Sequence, residues 1–427
     1  MATPGTFVKD GENTIHMRTD IANNRGDLIH VAGNVTTADN GKVTLKVFDQ
    51  GMKNGLGSVA GDNVNPLGLI VVSNDGNNLA NYSLETGTRY DNTVFNYAYD
   101  NIQVAQDQNG HIVLNTLATE DLLVGYELSN GPKTALDSNM AAANVLMRDD
   151  TLSKRLGELR DNRKEEGLWA RYQYGNTKID GARKVDQKFN GIQIGFDHAV
   201  NPNWRVGGAV GYEHGNNDFV YGDGKTKSKS LSLYATWLAD KGHYVDIVLK
   251  GAKVDSKYDT WGGTFFQKNH ADFDSNAYSL SVEYGYNHEF GNGWFVEPQV
   301  QALLGTLGSA SYDYGHEDGS MHVNNDSVTT ARLRGGLLAG YKMNAKSRIY
   351  AKASILHEFD GDVETRITAD RKTAKLTDSF GGTYYLYGIG VNFIPTDNMS
   401  VYFDLERTAN GVSKTDLGVN LGVRYSF

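Results

Sequence analysis

Two sets of charged residues in this chain are spaced so that they can find one another. Acidic side chains fall on alternate positions of strand-like segments: Asp197, Glu213, Glu283, Asp404 and Glu406, with Asp246 and Glu297 in the same inward register. Basic side chains crowd the segment just before the first of those strands. There Lys154, Arg155, Arg160, Arg163 and Lys164 surround a narrow apolar stripe of Leu152, Leu156 and Leu159, spaced i, i+4, i+7 as on one side of a helix. A helix carrying Lys154, Arg155 and Arg160 through a space lined by those acids would be held by ion pairs. In a confined, partly dehydrated space such pairs fix position more than they add stability. The lining is mixed, because Arg205, Lys250, Arg332, Arg334 and Lys352 share the inward register. The plainer alternative for the basic segment is a linker helix in open solvent.

Bond-making chemistry is not legible. The chain contains no Gly-x-Ser-x-Gly, His-Glu-x-x-His, P-loop or dinucleotide fingerprint. With no cysteine there is no disulfide scaffold and no thiolate metal or redox site. His270 and Asp272 lie close together on a stretch read as an external loop, a pairing more often solvated than catalytic. The acidic run from Asp313 to Asp318 lacks a fixed ligand spacing. No catalytic, cofactor-binding or metal residue is assigned, and a net charge of −10 argues against nucleic acid as a partner.

The elements that must place these charges are strands. In the last eleven residues Leu417, Val419, Leu421, Val423, Tyr425 and Phe427 fall on one face, and Gly418, Asn420, Gly422, Arg424 and Ser426 on the other. One apolar and one polar face, with a period of two, is what a strand between lipid and a wet lumen requires. Asn420, Gly422, Tyr425 and the terminal Phe427 together resemble the sorting signal of bacterial outer-membrane barrels. No stretch reaches the roughly 18 to 20 apolar residues of a spanning helix, and mean hydropathy is −0.47. A membrane protein of this composition is therefore a closed barrel, the one other architecture that satisfies every backbone group in lipid. Counts of Gly 49, Tyr 24 and Phe 16 against Pro 6 suit long strands and aromatic girdles.

From Gly167 to Phe427 the alternation predicts twelve strands, beginning near Leu168, Phe189, Asn203, Lys227, His243, Phe273, Gly293, Asn325, Ser347, Ser379, Asn398 and Ser413. Short turns such as Val200–Trp204, Asp240–His243 and Phe290–Trp294 alternate with long polar loops near 215–226, 257–272, 309–324, 361–378 and 409–413. Tight turns on one side and long loops on the other match an outer-membrane barrel, and an even count puts both barrel ends on the turn side. A segment preceding the first strand must then thread the lumen to reach outside. Trp169, Trp204, Trp237 and Trp294 are expected at the membrane interfaces.

Residues 1–133 are rich in Asn, Gly, Asp and Thr, with short apolar runs (Leu28–Val31, Val43–Phe48, Leu67–Val72) between turn dipeptides such as Asn40-Gly41 and Asp75-Gly76. This predicts a β-solenoid of stacked rungs with Tyr90–Tyr99 as a cap; a β-sandwich is the alternative. Residues 134–166 form a linker with a helix. Met1–Gly5 carries no basic segment followed by an apolar one, so the expected reading is a chain shortened at its N-terminus.

A basic helix, then Leu156-Gly-Glu-Leu-Arg160-Asp, then Gly167-Leu-Trp-Ala-Arg171, then an even barrel ending in Phe resembles a monomeric (type V secretion, type Va) autotransporter. The resemblance covers residues 134–427. Residues 1–133 look, more loosely, like the end of a pertactin-like passenger with its β-helical stem and autochaperone region. The family implies an all-β protein: a twelve-stranded antiparallel transmembrane barrel (167–427) with the linker helix in its pore. It also implies insertion by the outer-membrane barrel assembly machinery with periplasmic chaperones, export of the protein's own passenger to the cell surface, a monomeric state and no enzymatic role. Some members cut the passenger off inside the barrel at an Asn-Asn pair; here Asn139-Met140 and Asn144-Val145 stand instead, and Asn144 is the candidate for such cyclisation. The rivals are a porin-like channel or adhesin with a periplasmic solenoid, and a barrel enzyme using His270 and Asp272 at its rim.

Overall fold

The computed structural model describes residues 128–148, 150–161, 165–262, 267–316, 319–369 and 372–427, together with short strand segments of the first 127 residues. Arg163, Lys164 and most side chains before residue 128 lie outside the described residues, as does part of the Asp313–Asp318 run.

Twelve long strands form the barrel: β1 Glu166–Asp180, β2 Lys184–Ala199, β3 Trp204–Phe219, β4 Gly222–Leu238, β5 His243–Gly262, β6 Gln267–Tyr286, β7 Trp294–Leu307, β8 Val328–Asn344, β9 Ser347–Glu358, β10 Gly382–Thr396, β11 Met399–Ala409 and β12 Ser413–Ser426. Each pairs antiparallel with its sequence neighbour. The sheet closes where β1 meets β12, from Gly167↔Ser426 to Ile179↔Ser413. The backbone amides of Glu166 and Phe427 each donate to the other's carbonyl, at 3.1 and 3.0 Å, so the terminal aromatic lies in the closing seam. The short turns depend on local chemistry, Gly242 and Gly293 both adopting φ +90°, where a side chain would be strained.

The outward face is apolar over a band of limited height. Ile192, Ile194 and Phe196 on β2, Val206, Val210 and Tyr212 on β3, and Leu231 and Leu233 on β4 all point away from the lumen and are exposed. Above Tyr212, Leu231 and Tyr278 the same outward register turns polar, through His214, Asn216 and Asp218 on β3 and Lys229, Lys227 and Lys225 on β4. Barrel strands therefore continue well past the lipid belt. This corrects the expected loops: 215–226 is a strand pair with a tight turn at Val220-Tyr221, and most of 257–272 is strand. Strand starts move accordingly, from Phe189 to Lys184, Lys227 to Gly222 and Phe273 to Gln267. The described residues of 309–324 and 361–378 also form strands. Ala310–His316, Gly319–Asn325, Asp362–Ala369 and Lys372–Ser379 pair into a four-stranded sheet at the barrel mouth.

Trp204, Trp237 and Trp294 face outward near the short turns, as interfacial anchors should. Trp169 does not. Its parity points it into the lumen, where it is buried and its Nε1 donates to the Tyr234 hydroxyl at 2.7 Å. It belongs to a regular series, because each of the six strand pairs joined on the mouth side carries an inward aromatic directly opposite a glycine toward its short-turn end, β1–β2 holding a second, Phe189/Gly175, nearer the mouth. The pairs are Trp169/Gly195, Tyr234/Gly207, Tyr244/Gly285, Phe295/Gly340, Tyr350/Gly390 and Tyr402/Gly422. An added Cβ at any of these glycines would come within 2.6 Å of the ring, so the aromatics lie where only glycine leaves room.

Before residue 128 parallel and antiparallel pairings both occur: Glu12–Asp20 runs parallel to Lys42–Asp49 and Lys42–Asp49 to Tyr82–Leu84, while Ile112–Leu114 runs antiparallel to Leu67–Val72. Thr88–Asp91, Phe95–Tyr99 and Leu123–Leu128 also pair antiparallel.

Candidate functional site

The lumen is occupied by the segment that precedes β1. It runs as helix α1 (Asn130–Ala143), a 3-10 turn (Asn144–Met147), a short helix α2 (Leu152–Leu156) and a final 3-10 turn (Leu159–Asp161). Pro132 sits in the first turn of α1, where its missing N–H costs no helical bond. Nearly every α1 side chain from Gly131 to Ala143 is buried, and the small residues Ala135, Ala141, Ala142 and Ala143 keep the helix slim enough for its surroundings. Leu136 and Met140 pack into a cluster that includes Tyr314, Met321, Val323, Val363, Ile367 and Phe380, all supplied by the mouth sheet and its borders.

Polar contacts tie α1 to the outer tips of the barrel. The Asn130 carboxamide donates to the Trp261 carbonyl (3.1 Å), and Thr134 bonds Thr260 (3.0 Å). Asp137 accepts from two nitrogens of Arg183 at 2.6–2.9 Å. Asn139 donates to Thr365 (3.2 Å).

The basic segment is not one continuous helix, as its leucine stripe had suggested. α2 starts at an N-cap, Thr151, and ends after five residues at Gly157, whose φ of +63° turns the chain. Leu152, Leu156 and Leu159 are all buried, against Trp169, Tyr234, Tyr244 and Val248, so the helix is enclosed rather than solvent-exposed.

The predicted bases each find an acid. Lys154 pairs with Glu406 at 2.5 Å, and Arg155 with both oxygens of Asp246 at 2.7 Å. Arg160 pairs with Glu158 (2.6 Å) and with Glu297. Arg155 also lies over the Tyr234 ring, 4.5 Å from its centre. Of the five candidate acids, Glu406 alone meets a predicted base. Asp404 is held by Lys352 (2.8 Å) and Tyr350 (2.7 Å), and Asp197 by Arg424 and Arg205 of the wall itself. Glu283 accepts from Tyr244 (2.6 Å) and from the Leu152 backbone N–H (3.3 Å). Glu213 takes Arg148 (3.1 Å), a plug residue that the sequence reading missed because Arg148-Asp149-Asp150 looks like a solvated surface. Asp246 and Glu297, expected in the same inward register, take Arg155 and Arg160; which base meets which acid was not legible.

Of the C-terminal signal residues, Tyr425 and Phe427 face lipid with ring centres 6.0 Å apart, while the other two face the plug. Asn420 donates to the Lys154 carbonyl (3.1 Å), and Gly422 makes room for Tyr402, whose hydroxyl donates to the Arg155 carbonyl. Asn144 is held at both ends of its carboxamide, donating to Gln187 (2.9 Å) and accepting from Ser413 (2.8 Å). A cavity of about 90 Å³ remains between Met147, Arg148, Lys154 and the β12 wall, room for water but not for a polypeptide.

The rim pair lies on the exposed outer face. His270 bonds Asp259 (2.8 Å), lies 4.0 Å from Asp272 and points outward from the barrel. Burial raises the Asp259 carboxyl, but its hydrogen bonds with Lys268 and His270 outweigh that and hold it below the usual carboxylate range.

A closed barrel with an apolar outer belt and its own upstream chain threaded through the lumen defines an outer-membrane translocator with an internal plug. The comparisons agree: residues 168–406 match the family model described as autotransporter beta-domain, and the chain belongs to that family. The pertactin autotransporter of Bordetella parapertussis is 28% identical over 316 residues, covering 71% of this chain and 33% of that protein. The BrkA autotransporter of Bordetella pertussis is 27% identical over 432 residues, covering 98% of this chain and 39% of that protein. The chain thus spans about a third of the length of these curated relatives. The transport unit of the autotransporter AIDA-I from Escherichia coli shares the fold at a TM-score of 0.53 and 16% identity, covering 70% of this chain and 98% of that one.

Proposed function

We propose that this barrel exports the chain upstream of it and then keeps the last-exported segment, residues 130–161, as its plug. The observation that carries the reading is the path of that segment. It enters the mouth at Asn130 beside Trp261 and reaches the short-turn end, where Arg160 donates to the Gly242 carbonyl at 3.4 Å. On this reading the chain before residue 130 lies on the outer side, having passed through its own barrel.

Parallel pairing among the first strands supports a stacked solenoid as the passenger end, its antiparallel last part acting as a seed for folding. Each rung that buries apolar surface outside would pull the next through. The plug residues Lys154, Arg155 and Arg160, with the lumen acids, serve as the latch. The barrel acts as a monomer, inserted by the barrel assembly machinery after escort by periplasmic chaperones, and its own work is mechanical rather than catalytic.

An epitope placed before Thr3, with a signal peptide restored, tests this in intact Gram-negative cells treated with protease. Cleavage of the epitope is expected. A protected epitope on a folded, inserted barrel would place the N-terminal region in the periplasm, as a porin-like channel requires.

A further inference from the structure

Just above the lipid belt, β4 presents three lysines in succession on its outward face, Lys225, Lys227 and Lys229. The register with β5 sets Lys229 directly opposite Lys253 and Lys225 directly opposite Lys257, with Asp255 opposite Lys227. Like charges in facing cross-strand positions are destabilising in themselves. Only Lys253 is compensated, by Asp274 at 3.2 Å and Asp255 at 3.9 Å. Among the described residues Lys225, Lys227, Lys229 and Lys257 have no carboxylate within ion-pair distance, whereas Lys268 nearby is paired with Asp259.

The height of this array is fixed by its neighbours. Tyr212 faces Lys229 across the β3–β4 pair, and the next outward residues below it are the exposed Leu231 and Leu233. Lysines at that level stand where the headgroups of the outer leaflet begin. The outward cations continue onto β2 at Lys188 and return on β11 at Arg407, but the wall between differs. At corresponding heights β8, β9 and β10 present Thr329, Ala331, His357, Phe359, Thr383 and Tyr385.

We infer that the β4–β5 face is a docking site for the phosphorylated headgroups of outer-leaflet glycolipid, whose acyl chains lie along Leu231 and Leu233. The phosphates would supply anions to Lys225, Lys227 and Lys229 of β4, whereas on β5 Lys253 already has Asp274 and Lys257 faces Asp272 across the next strand pair. This rests on the outer-membrane placement of the barrel and not on the direction in which the upstream chain is exported, which the epitope assay reads separately.

The test uses the purified full chain in detergent, exchanged against lipid A with its phosphates, against the same lipid A enzymatically stripped of them, and against inorganic phosphate as competitor. Bound lipid is counted by native mass spectrometry. Retention of the phosphorylated lipid in preference to the stripped one is expected, and it should survive excess inorganic phosphate. The variant K225Q/K227Q/K229Q should bind about a hundredfold more weakly, each basic residue at an anionic lipid surface being worth roughly a factor of five. Heat-modifiable mobility on gels reports whether this variant still closes its barrel. Should it fail to close, K227Q alone carries the test with a loss of about fivefold. Equal retention of the two lipids, unchanged retention by the closed variant, or full displacement by inorganic phosphate would each overturn the assignment.

Discussion

Arg155 of α2 places one guanidinium nitrogen 2.7 Å from both carboxylate oxygens of Asp246 on β5, and both side chains are almost wholly inaccessible to solvent. Neither charge could stay in that setting alone. Replacing either partner by alanine should cost about 3–5 kcal/mol, because the charge left behind is buried without compensation. Exchanging both for apolar residues of similar bulk, R155M with D246L, should recover most of that loss. Denaturant unfolding of the detergent-solubilised barrel measures both; equal destabilisation by the single and double variants would remove the pairing argument.

Tyr402 lies between two glycines. A Cβ at Gly422 would fall 2.0 Å from its ring and one at Gly157 2.7 Å from it. G422A should therefore push the ring off its seat and cost about 1–3 kcal/mol by overpacking. It should also break the Tyr402–Arg155 hydrogen bond, whereas Y402F should lose only that bond, about 0.5–1.5 kcal/mol. A G422A barrel as stable as the parent would show that the ring has somewhere else to go.

At the mouth, Asp137 takes three hydrogen-bond contacts from Arg183, which ties α1 to the β1–β2 turn. D137A should cost about 1.5–3 kcal/mol, the usual worth of a hydrogen bond to a charged group. The loss should appear as faster proteolysis near residue 130 in intact cells. Unaltered proteolysis would mean that the apolar mouth cluster holds α1 without help.

Removing residues 140–162 empties much of the lumen that the plug fills. Single-channel conductance in planar bilayers should rise from a small leak to that of an open pore. If conductance does not change, something other than the plug limits the path.

Leu156 is fully buried among Leu152, Trp169, Tyr234 and Tyr244. L156A should destabilise by about 2–5 kcal/mol, the range for a large-to-small change in a packed interior. The same variant should raise conductance only modestly, because the flanking ion pairs at Lys154 and Arg155 remain. A loss below that range would indicate that the site collapses around the gap.

The number of barrel strands and the facing of most belt residues could be read from the sequence, because within the membrane every residue answers a two-way choice between lipid and lumen. Beyond the belt that choice vanishes. Lys225, Lys227 and Lys229 face water just as loop residues would, so strands there looked like loops until their pairing was seen. Trp169 was misplaced by trusting residue type over parity, since Leu168 beside it already claimed the outward face. The break in the basic helix was hidden in one glycine, Gly157, whose positive φ turns the chain and whose missing Cβ leaves room for Tyr402 some 245 positions later, a packing partner no local pattern contains. The match of bases to acids depends on strand stagger. Asp197 carried the right charge in the right register, but Arg424 and Arg205 had already taken it.

The six aromatic–glycine pairs make each hairpin a self-contained stave that carries its own peg and socket. A wall built from such units can grow by adding one hairpin at a time, and every addition arrives with its segment of the inner rim complete. The last stave differs in one respect: its peg, Tyr402, also touches the backbone of Arg155. Trp169, Tyr234 and Tyr244 of the earlier staves already face the plug, so closing the wall and seating the plug draw on the same inner rim.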